Sequence, residues 1–137
     1  MNQWNSHIFE GWFTISLPDL WEYEAEDVIT FFSSEDGEGA LQFSLFKRRK
    51  NIIGTEEFVN QQLIGFIKEH AIKNVKSKKI ISSDCTVAFA EGTTDMDFIK
   101  IWTIANECKY ILATYISHNK TNELSIVEKI IDSIRME

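Results

Sequence analysis

Proline occurs once in the 137 residues, at Pro18, and glycine six times. Proline this scarce argues against a disordered or low-complexity chain. Cysteine is limited to Cys85 and Cys108, outside any CxxC and with no histidine at metal-ligand spacing. No zinc site is suggested, and both residues are expected as reduced thiols. Long apolar runs are missing: nothing approaches the ~18 residues of a membrane span, and MNQWNSHIFEGW lacks the basic start and apolar run of a signal peptide. A cytoplasmic location is therefore expected, with no membrane partner. Basic charge is short, with 14 Lys and Arg against 21 Asp and Glu, a net charge of −7 and a pI near 5.0. A nucleic-acid backbone would on balance be repelled.

What is present is the composition of an ordinary globular protein, 44% hydrophobic with ten Phe, four Trp and three Tyr. A chain of this length can bury roughly 68% of its unfolded surface in one core. With no internal repeat and no linker, one domain over residues 1–137 is expected. Met1 to about Glu10 reads as a loose N-terminal segment. Alternation over Trp12–Leu17 puts Phe13, Ile15 and Leu17 on one face of a strand that Pro18 ends. Asp27–Phe32, the polar turn SSEDGEG and Ala40–Lys47 read as a hairpin, after which KRRKN enters solvent.

From Thr55 to about Ile72 the period becomes helical. Thr55 is placed as N-cap, and Val59, Leu63, Phe66, Ile67 and His70 form the core-facing stripe. Val75–Ser82, Thr86–Thr93, Asp97–Ala105 and Cys108–Ser117 follow as strands with short connections, the last three forming an antiparallel meander. TNELSIVEKIIDSIR closes the chain with a second helix whose Val127, Ile130, Ile131 and Ile134 share one face.

The expected fold class is α+β: an antiparallel β-sheet of about six to seven strands with two amphipathic helices. Phe98, Trp102 and Ile104 alternate with Ile99 and Ile101, so both sheet faces need cover, and an α/β/α sandwich satisfies this. The opening WFTISLPDLWE, the helix after the early hairpin and the closing IVEKIIDSIR together resemble the PsbP/Mog1-like fold family. That resemblance implies binding more than chemistry. Known members include a photosystem accessory subunit, a factor that binds a small GTPase and bacterial proteins of unknown role. Many bacterial members look secreted or lipid-anchored, which this N-terminus does not, and no family site residue carries over.

No catalytic constellation is legible, so no enzyme, no cofactor and no metal are expected. Cys85 and Cys108 open strands away from any cation or helix start that would activate a thiol. His70 reads as a packing histidine. EDGEG matches no phosphate-binding loop, and Glu35, Asp36 and Glu38 lack the spacing of a calcium loop. A base-stacking face built on Phe46, Lys47, Lys100 and Trp102 conflicts with the overall acidity. Asp19–Glu38 holds eight acidic residues and no basic one. The leading expectation is a non-enzymatic protein-binding module, of the immunity or accessory kind, whose acidic surface steers a basic partner. Its binding residues are placed at Trp21, Glu22, Glu24, Glu26, Asp27 and Trp102. The alternative is a carrier of a small apolar ligand, or an enzyme, with a pocket between helix and sheet lined by Phe43, Phe66 and Trp102. No residue pattern demands a dimer.

Overall fold

The computed structural model describes residues 3–35, 37–49, 53–81 and 85–137, with 78–81 as backbone only. The chain runs β1 (Trp4–Phe9), β2 (Phe13–Pro18), β3 (Trp21–Ala25), β4 (Ile29–Ser33), β5 (Gly39–Lys47), α1 (Thr55–Glu69), β6 (Lys73–Ile81), β7 (Thr86–Thr94), β8 (Asp97–Ala105), β9 (Lys109–Ser117), α2 (Glu123–Asp132) and β10 (Arg135–Met136). Seven strands form the main antiparallel sheet in the order β3-β4-β5-β9-β8-β7-β6, and β1-β2-β10 form a smaller one. The fold is therefore α+β, with the main sheet at the upper end of the expected strand count.

Strand β8 explains the layering. Every residue from Phe98 to Ala105 is buried, so the alternating side chains need cover on both faces. On one face α1 lies across β7 and β8 and buries Val59 and Leu63 against Ala88, Ala90, Ile99 and Ile101. The two alanines let the helix approach closely enough for the Thr103 hydroxyl to donate to the Val59 carbonyl at 2.8 Å. On the other face α2 and the small sheet close a larger core, in which Leu124, Val127, Ile130 and Ile131 meet Phe31, Phe43, Trp102, Ile104 and Tyr115.

Several expectations are corrected. Residues 4–9 are not loose: β1 pairs with β2 throughout, from Trp4 opposite Pro18 to Phe9 opposite Phe13. Its alternation is hard to see because polar Asn5 and Ser6 precede an outward-facing Ile8. Thr55 does not cap α1. Gly54 holds that position, and the Thr55 hydroxyl accepts instead from Arg48, whose guanidinium also donates to the Asn106 carbonyl and lies over the Phe58 ring. Arg48 thus pins the β5–α1 connection instead of entering solvent. His70 is exposed and stacks on Phe66 with ring centroids 4.2 Å apart. Cys85 is buried, whereas Cys108 is exposed in the β8–β9 turn. Asp36 and Lys50 lie outside the described residues, as do the side chains of Lys78 and Lys79.

The first residue of α2 locks the helix to the main sheet. The buried Glu123 carboxylate accepts from the Tyr115 hydroxyl at 2.7 Å and from the Gly39 amide at 3.0 Å. Gly39 is required there, because a Cβ would sit 2.5 Å from the Ile116 carbonyl oxygen and 2.7 Å from the Tyr115 ring. Glu123→Ala leaves two enclosed donors without an acceptor and is expected to cost about 2–4 kcal/mol in urea unfolding. Burial, reinforced by the Glu123 hydrogen bond, pushes the Tyr115 hydroxyl up to about 12 from 10.0, and burial also raises Tyr110. Both phenols therefore resist ionisation in the folded state. Their contribution to stability is intact below pH 10 and is lost as pH rises from 10 toward 12. Thermal unfolding across that window is expected to show the decline, and Tyr115→Phe to make it shallower.

Candidate functional site

The alternation of β8 places Lys100 and Trp102 on the face covered by α2. Antiparallel register sets Glu91 of β7 opposite Lys100 and Phe89 opposite Trp102. The result is an ammonium only 6% exposed, enclosed by groups from three elements. Lys100 Nζ donates to Glu128 Oε2 of α2 at 2.5 Å and lies 3.9 Å from Glu91 Oε2. It also stands 4.6 Å from the Phe89 ring centroid and 5.3 Å from that of Trp102. Lys120 binds the other Glu91 oxygen at 2.8 Å, so charges alternate across the sheet toward α2. Beside this chain a cavity of about 280 Å³ opens between α2 and strands β7 and β8. Its apolar lining comes from Cys85, Val87, Phe89, Trp102, Ile131 and Ile134.

The opposite face of the main sheet is only half covered. α1 packs on β7 and β8 and meets the start of β9 through Phe58 and Tyr110, which leaves β5 and the Thr114–Ile116 end of β9 open beyond its edge. Two adjoining hollows occupy this space. One of about 410 Å³ is floored by Gln42, Ser44, Thr114 and Ile116 and bounded by Phe66, His70 and Asp95. The other, of about 330 Å³, lies against Glu24, Glu26, Asp27 and Thr30 and shares Gln42 with the first. Together they form a trough whose linings include, among the described residues, four carboxylates and neither Lys nor Arg.

The residues singled out from sequence separate onto the two faces. Glu22 and Glu24 alternate out of β3 toward the open side, in register with Phe32 and Thr30, and Glu26 and Asp27 occupy the β3–β4 turn. Trp21 points the other way and packs, half-buried, against the larger core. Trp102 is 3% exposed and cannot serve as a surface aromatic, because its ring is enclosed beneath α2. The anticipated pocket lining also divides: Phe43 and Trp102 belong to the α2 side and Phe66 to the α1 side. Phe46, which stacks on Tyr110, faces away from Lys100 and Trp102, so the base-stacking face that the acidity argued against does not assemble. Among the described residues no cluster of metal-binding side chains occurs, and no helix is long and apolar enough to cross a membrane. The Lys100 partners Glu91 and Glu128 carried no local signal. The one hint was a lysine inside the apolar run FIKIWTI.

No family model matches the chain, and no curated protein matches its sequence. Solved structures do share its fold. A crystal structure from Bacteroides thetaiotaomicron VPI-5482 aligns with a TM-score of 0.63 at 17% identity, over 96% of this chain and 48% of that one. The chain thus spans about half the length of the Bacteroides protein it matches. The solution structure of cyanobacterial PsbP (CyanoP) from Synechocystis sp. PCC 6803 aligns with a TM-score of 0.64 at 11% identity, over 99% of this chain and 92% of that one. The fold is PsbP-like, as the resemblance in the opening and closing segments implied.

The Lys100 ion pairs are asymmetric, since Lys100 is 6% exposed while Glu91 and Glu128 are 23% and 42% exposed. Removing the lysine lets both carboxylates turn to water. Removing Glu128 strands a buried ammonium. Lys100→Met is therefore expected to change stability by less than about 1 kcal/mol and Glu128→Gln to lower it by about 1–3 kcal/mol, compared by urea midpoint.

Proposed function

We propose that this chain is a non-enzymatic binding module that docks a basic protein segment in the trough beside α1. The observation that carries this reading is the lining of the trough, with Glu24, Glu26, Asp27 and Asp95 and neither Lys nor Arg. A net charge of −7 adds a long-range field of the same sign. Such a field raises the rate of encounter with a cationic partner and weakens as salt increases. The floor supplies the short-range contacts. Ile116 is 41% exposed, and beside it Gln42, Ser44 and Thr114 offer polar groups that an extended segment could pair with. An immunity protein neutralising a basic toxin, or an accessory subunit seating a basic partner, would use the face in this way.

The reading is tested with a peptide of about ten residues rich in Lys and Arg, titrated into labelled protein at low ionic strength and followed by amide NMR. Shifts are expected at Thr30, Gln42, Ser44, Thr114 and Ile116, fading as salt rises. Simultaneous reversal of Glu22, Glu24, Glu26 and Asp27 to Lys is expected to weaken binding by about tenfold or more. Equal binding by the reversed protein, or shifts confined to the α2 side, would refute the docking face.

A further inference from the structure

We infer that the cavity beneath α2 is a second binding site, for a small carboxylate with a flat apolar body, and that Lys100 is the group that recognises it. The face of β8 under α2 presents Phe98, Lys100, Trp102 and Ile104, so one position in an otherwise apolar row carries a charge. An ammonium in such a place gives up most of its hydration, and an apolar side chain of similar size would serve packing as well. Packing alone therefore gives no reason for a lysine at this position. Its bonding leaves capacity for a ligand. A lysine has three N–H donors, and among the described residues this one makes a single hydrogen bond, to Glu128. Its remaining surroundings are the Phe89 and Trp102 rings and a Glu91 oxygen 3.9 Å away, beyond hydrogen-bond length.

Aromatic faces are weak acceptors, and a carboxylate outcompetes them for an N–H group. Glu128, on α2 at the edge of the cavity and 42% exposed, can turn to water when a second carboxylate arrives. The rest of the cavity defines the ligand body. Val87, Phe89, Trp102 and Ile131 present the apolar surface, which suits a ring, while Glu128, Asp132 and Arg135 add a charged rim at α2 and its C-terminal end. At about 280 Å³ the space is slightly smaller than the ~300 Å³ at the low end of known ligand pockets, so the ligand is about the size of one substituted ring. The site lies across the main sheet from the acidic trough and does not rest on it.

Benzoate and its neutral isostere benzamide are suitable probes, titrated separately to about 10 mM, a range suited to millimolar fragment affinities. Saturable amide shifts at Val87, Trp102 and Ile131 are expected with benzoate, at an affinity at least about tenfold above that of benzamide. Lys100→Met is expected to abolish the preference for the carboxylate. If that variant does not fold, Val87→Trp fills the cavity, keeps Lys100 and is expected to lose benzoate. Four results would overturn the site: no benzoate binding in this range, equal affinity for both probes, undiminished benzoate binding by either variant, or shifts at Gln42 and Thr114 instead. None of these bears on the basic-peptide titration, which probes the other face.

Discussion

The structure depends on one strand being buried on both sides. From Phe98 to Ala105 every residue of β8 is buried, so each face requires a layer packed against it. Antiparallel pairing with β7 and β9 satisfies the backbone. The two side-chain rows then call for α1 on one side and α2 with the small sheet on the other. Hydrophobic burial supplies the drive, and small residues set the spacing, as where Ala88 and Ala90 admit α1 closely enough for Thr103 to reach its backbone.

The two covers differ in width, and the difference creates both candidate sites. One fifteen-residue helix cannot span a seven-stranded sheet, because strands lie ~4.8 Å apart and a packed helix covers about two of them. The uncovered part of that face becomes the acidic trough. On the other side α2 shares its face with β2, whose Phe13, Ile15 and Leu17 fill the core toward β4 and β5. A gap remains where the helix faces β7, and the Lys100 ammonium sits at its edge.

Elements with strong periodicity were legible in sequence. The meander β7–β9, strand β5 and both helices follow from alternation or helical spacing over nine or more residues. Of the shorter elements, β2 and β4 were legible as well, whereas β1, β3 and β10 were not. β3 reads as charge because Glu22 and Glu24 separate Trp21, Tyr23 and Ala25. β1 reads as a loose end, and β10 has only two residues and forms by pairing with β2. Thr55 illustrates a local rule overridden: a hydroxyl suited to capping a helix was engaged by Arg48 arriving from the preceding strand. The acidic stretch was visible as composition. That Glu22 and Glu24 share an open face, while Trp21 turns inward, required the β3–β4 register.

By itself the sequence determined the class of the protein. Local periodicity and burial demand are properties of neighbouring residues, and they yield an antiparallel α+β sandwich with acidic charge gathered between Asp19 and Glu38. Only the tertiary structure decided which residues share a site. Glu91, Lys100 and Glu128 are separated by 9 and 28 positions, and what unites them is strand register combined with the seating of a helix over the sheet. Packing likewise buried Trp102 beneath α2 while leaving Glu24 and Asp27 in the open. Such partnerships arise from long-range contacts, whose energies depend on how whole faces fit together and leave no trace in the spacing of residues along the chain.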